Sequence, residues 1–198
     1  MGGASKAEAY IAATWPHIQV SYCHSSLGSK VLVEKLAGIK HYAGKDLVAS
    51  GAKLQEMFTD TVNDLGSADL MLYMAYDTAY YGTVGIAWSP VVCNPSGSNK
   101  YKSSINEWRK THSEAAHVMA HEIGHNLGMD HDFSTKHKAA GCDGTGIMSY
   151  NNPPNKWSTC SKADFTAQYK ANQANWCLPG TYVEGVRANL GMAKKVTY

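Results

Sequence analysis

The spacing of apolar residues predicts a short opening helix over residues 7–13, broken at Trp15-Pro16. From 17 to 22 the pattern alternates, with Ile18, Val20 and Tyr22 on one side and Gln19 and Ser21 on the other. That period of two predicts a half-buried strand. Residues 31–36 form a second strand candidate. Between 52 and 65, Leu54, Met57, Phe58, Val62 and Leu65 recur at helical spacing, and Gly66 supplies a stop. The run ADLMLYMA at 68–75 is short and apolar, as expected of a strand buried on both faces. TVGIAW at 83–88 is a further strand candidate ahead of Pro90.

Residues 111–126 read as one long helix, with Thr111 and Glu114 at capping-box spacing. Ala116, Ala120, Ile123 and Leu127 make one core stripe, which places His121 and His125 on roughly the opposite side. Gly128 allows the helix to end in a sharp turn. An irregular stretch rich in Gly, Asn, Pro and Ser follows over 131–158. A last helix is expected at 161–175, with Ser161 as cap and Asp164 at its third position. Strands and helices in the first part, then loop and helix, predict an α/β sandwich-like domain with an irregular lower half.

With 198 residues the chain suffices for one domain, or a domain plus a tail. The expected division is one unit at 1–177, with an upper part to about 128 and a lower part at 129–177, and a tail at 178–198. An apolar fraction of 44% and a formal charge of +2 suit a globular protein. They give no reason to expect nucleic acid or a membrane as partner. No secretory signal is visible at the start, so compartment rests on the five cysteines. None forms a CxxC pair, which argues against a thiolate metal site. Cys93, Cys142, Cys160 and Cys177 suffice for two disulfides and an oxidising compartment, with connectivity open. Cys23 is the odd one, expected as a buried thiol.

The chemistry concentrates in HEIGHNLGMDH at 121–131. His121 and His125 lie one helical turn apart and can reach one ion at about 2.0–2.1 Å from each nitrogen. Gly128 permits the turn that returns His131 as a third ligand. Three neutral imidazoles leave a coordination position open, the catalytic rather than the structural zinc arrangement. Glu122 sits beside the ion and can serve as general base. A bare His pair at this spacing is more often solvated or packed; the full motif is far more specific. His17, His24, His41, His112, His117 and His137 are expected to have no metal role, though His117 can border the cleft.

The long motif resembles that of the metzincin metallopeptidases, and GIMSY at 146–150 resembles their Met-turn. The resemblance implies an α/β, metzincin-like catalytic domain with a mixed, mainly parallel sheet, an active-site helix and an irregular lower subdomain. It places Met148 beneath the metal as an apolar floor. Asp132 directly after His131 is similar to the adamalysin branch, as are GTVGIA at 82–87, CNP at 93–95 and NKWSTCS at 155–161. Within that branch the compact arthropod venom type, such as the scorpion antarease-like enzymes, is the nearest resemblance. The likeness is specific over about 69–177 and only architectural before that. It implies disulfides Cys93–Cys177 and Cys142–Cys160. It also implies a cleft rim at 82–87 for an extended peptide, and a side-chain pocket at 149–157. The implied activity is that of a secreted, extracellular zinc endopeptidase, monomeric, with an inhibitory propeptide removed and a venom role among its settings.

Residues 1–10 lack the apolar strand on which such domains carry a calcium-binding acid, so no calcium site is carried over. Tyr150, two residues after Met148, resembles the zinc-ligating tyrosine of astacins and serralysins, but the His131-Asp132 signature argues against that placement. The competing class is a binding or adhesive module with a degenerate site. The intact His121, Glu122, His125 and His131 weigh against it.

Overall fold

The computed structural model describes residues 4–28, 36–40, 51–65, 68–75, 83–93, 101–150 and 154–172. The first element, α1 (Ala4–Tyr22), is a single helix that runs through Pro16. The helix break expected at Trp15-Pro16 and the strand expected at 17–22 are both overturned. Ile18 and Tyr22 satisfy a period of two and a helical repeat of four equally well, and Val20 decides between them. Ile18 and Tyr22 are fully buried, whereas Val20 is 63% exposed. The buried set Thr14, Ile18, Ser21 and Tyr22 is a helical face. Tertiary anchors offset the donor that Pro16 lacks. The Tyr22 hydroxyl donates to the carbonyl of Ala120 at 2.8 Å, and Trp157 Nε1 donates to the carbonyl of Ser21 at 2.8 Å. Cys23, just beyond α1, lies exposed rather than buried.

The second helix, α2 (Gly51–Thr61), continues into a short 3-10 turn at Val62–Asp64. It buries Leu54 and Met57 against Tyr73, Ala75 and Ile105 of the sheet. The strand expected at 31–36 lies outside the described residues apart from Leu36, which is in no element, and Gly66 lies outside them too.

Among the described residues the sheet has three strands in the order β1 (Met71–Ala75), β3 (Ser103–Glu107), β2 (Gly85–Ala87). The β1–β3 pairing is parallel, from Met71↔Ser103 to Ala75↔Glu107. The β2–β3 pairing is antiparallel, centred on Ile86↔Ile105. The sheet is therefore mixed, as expected, with one parallel and one antiparallel pairing among the described strands. Its central strand reads SSINE and is buried at every position. Part of this buried polarity is paired: Asn106 Nδ2 donates to the Tyr73 carbonyl at 3.2 Å and to Ser104 Oγ at 2.9 Å, whereas Ser103 Oγ and Asn106 Oδ1 find no partner among the described residues.

Helix α3 (His112–Asn126) packs between α1 and the sheet. Its Thr111–Glu114 capping box forms as expected. Ala116, Ala120, Ile123 and Leu127 are buried as the stripe requires. The side opposite is covered as well, by a lower segment that brings Ile147, Met148 and Trp157 into the same core. That segment carries the short helix α4 (Thr135–Ala139) and ends in α5 (Thr159–Ala171). The cap of α5 is Ser158, not Ser161; Ser158 Oγ accepts the Ser161 N–H at 2.9 Å. Asp164 therefore lies inside the helix. A disulfide joins Cys142 to Cys160, as the resemblance implied. Cys93 is also disulfide-bonded, and Cys177 lies outside the described residues. No described helix is long and apolar enough to cross a membrane.

Candidate metal centre

The last two turns of α3 present His121 and His125 from one face, with ring centroids 4.9 Å apart. Each ring is oriented by a backbone carbonyl: His121 Nδ1 lies 2.9 Å from the Ile147 oxygen, and His125 Nδ1 lies 2.8 Å from the Met129 oxygen. A carbonyl only accepts, so both rings carry their proton on Nδ1 and leave Nε2 bare. Gly128 adopts φ +89°, a left-handed conformation that glycine takes without strain, and the chain reverses there. His131 then meets His125, with the two Nε2 atoms 3.0 Å apart. Candidate ligand atoms of His121, His125 and His131 all lie within 4.8 Å of one another.

Burial sets the protonation of the cluster. It holds His121 down to about 3 and His125 down to about 4, with neighbouring imidazoles adding to the effect. It holds His131 below its ordinary value too. Burial alone pushes Glu122 up to about 8. Glu122 Oε2 is buried without a hydrogen-bond partner. Neutral imidazoles with anchored Nδ1 atoms, converging Nε2 atoms and an orphaned carboxylate oxygen form a donor set that fits a zinc ion.

Glycines make room for this arrangement at two points. A Cβ on Gly85 of β2 would lie 2.7 Å from Glu122 Cδ, so the strand passes directly against the carboxylate. A Cβ on Gly124 would lie 2.7 Å from Met148 Sδ and 3.3 Å from Trp157. Gly124 thus lets the fully buried Met148 slide under the helix between the two His turns. The motif pattern singles out the glycine after the helix; the need for Gly124 appears only in the packing.

Two further residues hold the site together. Asn126 Nδ2 donates to the carbonyls of Trp88 at 2.8 Å and Ser103 at 3.1 Å, and its own carbonyl accepts from Val91 and Val92. It staples the end of α3 to the sheet. Asp132, fully buried, accepts the hydroxyls of Ser149, Ser158 and Ser161. Its backbone N–H donates to the Met148 carbonyl at 2.9 Å. Sequence marked Asp132 only as a branch signature; here it ties the His131 loop to the Met148 turn and the start of α5.

Aromatic rings close the other side. Phe133 stacks on His131 at 4.4 Å and 17°. Tyr150, 55% exposed, places its hydroxyl 3.3 Å from His131 Nε2. His117 does approach the segment after Met148, with Nδ1 3.4 Å from Asn155 Oδ1. It is not part of the His cluster.

The sequence model of metallo-peptidase family M12, reprolysin type, matches residues 6–166. The chain is 35% identical over 83 residues to the snake venom metalloproteinase trimerelysin-2 of Protobothrops flavoviridis, covering 42% of this chain and 39% of that protein. It is 31% identical over 207 residues to human A disintegrin and metalloproteinase with thrombospondin motifs 6, covering 89% of this chain and 18% of that one. It is 30% identical over 161 residues to the snake venom metalloproteinase fibrolase of Macrovipera lebetinus, covering 72% of each. The chain thus spans well under half the length of the first two relatives. A solved chaperone–substrate complex shares the fold alone, with a TM-score of 0.53 at 19% identity, covering 74% of this chain and 25% of that one. From residue 6 to residue 166, and with its motif histidines gathered at the end of α3, the chain belongs to metallo-peptidase family M12, on the reprolysin branch, a family of metal-dependent peptidases.

Proposed function

We propose that this chain is a zinc-dependent endopeptidase whose metal ligands are His121, His125 and His131 and whose general base is Glu122. The observation that carries the reading is the convergence of three imidazoles within 4.8 Å beside a buried carboxylate oxygen that has no partner of its own. A bound zinc ion would supply Lewis acidity, polarising a carbonyl and acidifying a water. Glu122 takes a proton from the attacking water and passes it to the leaving amine nitrogen. In the metal-free chain burial raises that carboxyl to about 8, so it keeps its proton near neutral pH. Bringing a cation beside it draws it back toward the ionised form that accepts the proton.

The sheet supports a mode of substrate binding. In the described strands β2 is an edge, paired to β3 on one side only. An extended peptide adds along that edge by backbone hydrogen bonds, which holds the scissile bond over Glu122 at Gly85. The side chain beyond the cut is received by the segment 149–157. The same proposal takes 1–177 as the catalytic domain and 178–198 as a tail. It also includes secretion, a monomeric state, prior removal of an inhibitory propeptide and a venom role of the arthropod type. Support for the extracellular part is the Cys142–Cys160 disulfide and the likeness to two venom metalloproteinases. No calcium site is proposed.

The test is Glu122→Gln. The variant is expected to fold and to bind one zinc ion, and to lose cleavage of a peptide library by at least about 10²-fold. Near-normal cleavage by that variant refutes the assignment of Glu122.

A further inference from the structure

Of the three clustered histidines, His131 alone lies off the helix, on the loop that follows Gly128. Helix geometry fixes the backbone of the other two; something else must fix this one. His137 on α4 is buried and takes no part in the proposed ligand set. Its Nδ1 lies 3.0 Å from the backbone carbonyl of His131. Because a carbonyl only accepts, Nδ1 carries the proton and donates it. On the far side of the ring, Nε2 lies 3.1 Å from Oδ2 of Asp164, out of line for a straight hydrogen bond. The same Oδ2 accepts the backbone N–H of Asp130 at 3.0 Å. The other oxygen of Asp164 receives Lys136 Nζ at 3.1 Å.

The loop is therefore gripped at two points, the N–H of Asp130 by Asp164 of α5 and the C=O of His131 by the His137 ring of α4, which rests against the same carboxylate. We infer that His137 and Asp164 are positioning residues for His131, a clamp that fixes the backbone of the loop-borne ligand before metal arrives. The inference rests on the His cluster being the metal site. A loop ligand free to wander pays its ordering cost on binding, and a clamped one has paid it on folding. Partners of this outer kind are typically worth about 10- to 100-fold in metal affinity.

The two arms of the clamp can be separated by substitution. In His137→Asn the amide nitrogen takes the place of Nδ1 and keeps the bond to the His131 carbonyl. In His137→Gln the amide reaches the place of Nε2 instead, and that bond is lost. The experiment measures zinc affinity by competition with a chromophoric chelator and records the visible spectrum of the cobalt-substituted protein. It compares the whole chain with His131→Ala, His137→Ala, His137→Asn, His137→Gln and Asp164→Ala. Expected are zinc affinities lowered about 10- to 100-fold in His137→Ala, His137→Gln and Asp164→Ala, with altered cobalt spectra. His137→Asn should stay within about threefold of the parent, since it keeps the donor. If His137→Ala does not fold, the comparison of Asn with Gln carries the test. Equal affinity in those two variants, whether high or low, overturns the clamp. A parent chain that takes up zinc, together with His137→Ala that matches it, overturns the clamp and leaves the ligand assignment standing. A parent chain that takes up no zinc overturns both.

Discussion

Ionisable side chains were placed by this fold where water is scarce, and the metal-free chain should register that in its pH dependence. His121 and His125 are held near 3 and 4 by burial, against an ordinary value of 6.5. Between those limits the unfolded chain binds more protons than the folded one, so their contribution to stability falls as pH drops below 6.5. Glu122 works the other way. Its folded value of about 8 exceeds the ordinary 4.5, so its contribution is full below 4.5 and is lost as pH rises through 8. The metal-free protein should therefore have its highest melting temperature near about pH 6.5. Between pH 6.5 and 8 the melting temperature should decline, and Glu122→Gln should flatten that decline. A decline of equal steepness in the variant would show that Glu122 does not hold its proton in the folded state. This residue-scale chemistry was the most legible part of the sequence, because ligand spacing along a helix is set by helix geometry. Gly124 and Asn126 stand inside the same motif, yet their roles, admitting Met148 and stapling the helix to the sheet, depend on neighbours far away in the chain.

At the scale of elements, α3 was readable because its cap, stripe and stop are all local signals. The first helix was not, since Ile18 and Tyr22 fit two periods and Pro16 spoke for a break. What overrides both is the set of contacts to Ala120 and Trp157, which no local window contains. Strand β3 was missed for the opposite reason. SSINE carries no apolar alternation, and its burial comes from its place between β1 and β2. The lower segment has few regular elements of its own, so its stability should lean on its cross-link. The Cys142–Cys160 disulfide closes a loop of 18 residues, which corresponds to about 3 kcal/mol of unfolded-state entropy. The double variant Cys142→Ser, Cys160→Ser should lose stability on that order in a denaturant titration. An unchanged midpoint would mean that packing and the hydroxyl network on Asp132 hold the segment without the cross-link.

Across the whole molecule, the upper sheet and helices form a frame, and the lower segment closes beneath α3. The proposed site lies where they meet, with β2 passing Glu122 at Gly85, the His cluster on α3 and the loop after it, and Met148 packed against Gly124. The sequence motif anticipated that meeting point, but not how it is built. Asp132 and Asp164 fasten the returning loop to α5 and His137 fastens it to α4, and none of their partners lies within the motif except the loop itself. The central claim is that this site cleaves peptide bonds only when the His cluster holds zinc. The most direct measurement follows cleavage of a peptide library by the intact chain, after removal of metal with a chelator and again after zinc is added back. The account predicts loss of cleavage on chelation and recovery at one equivalent of zinc, with no recovery in His125→Ala. Full cleavage by the metal-stripped chain, or equal recovery in His125→Ala, would contradict it.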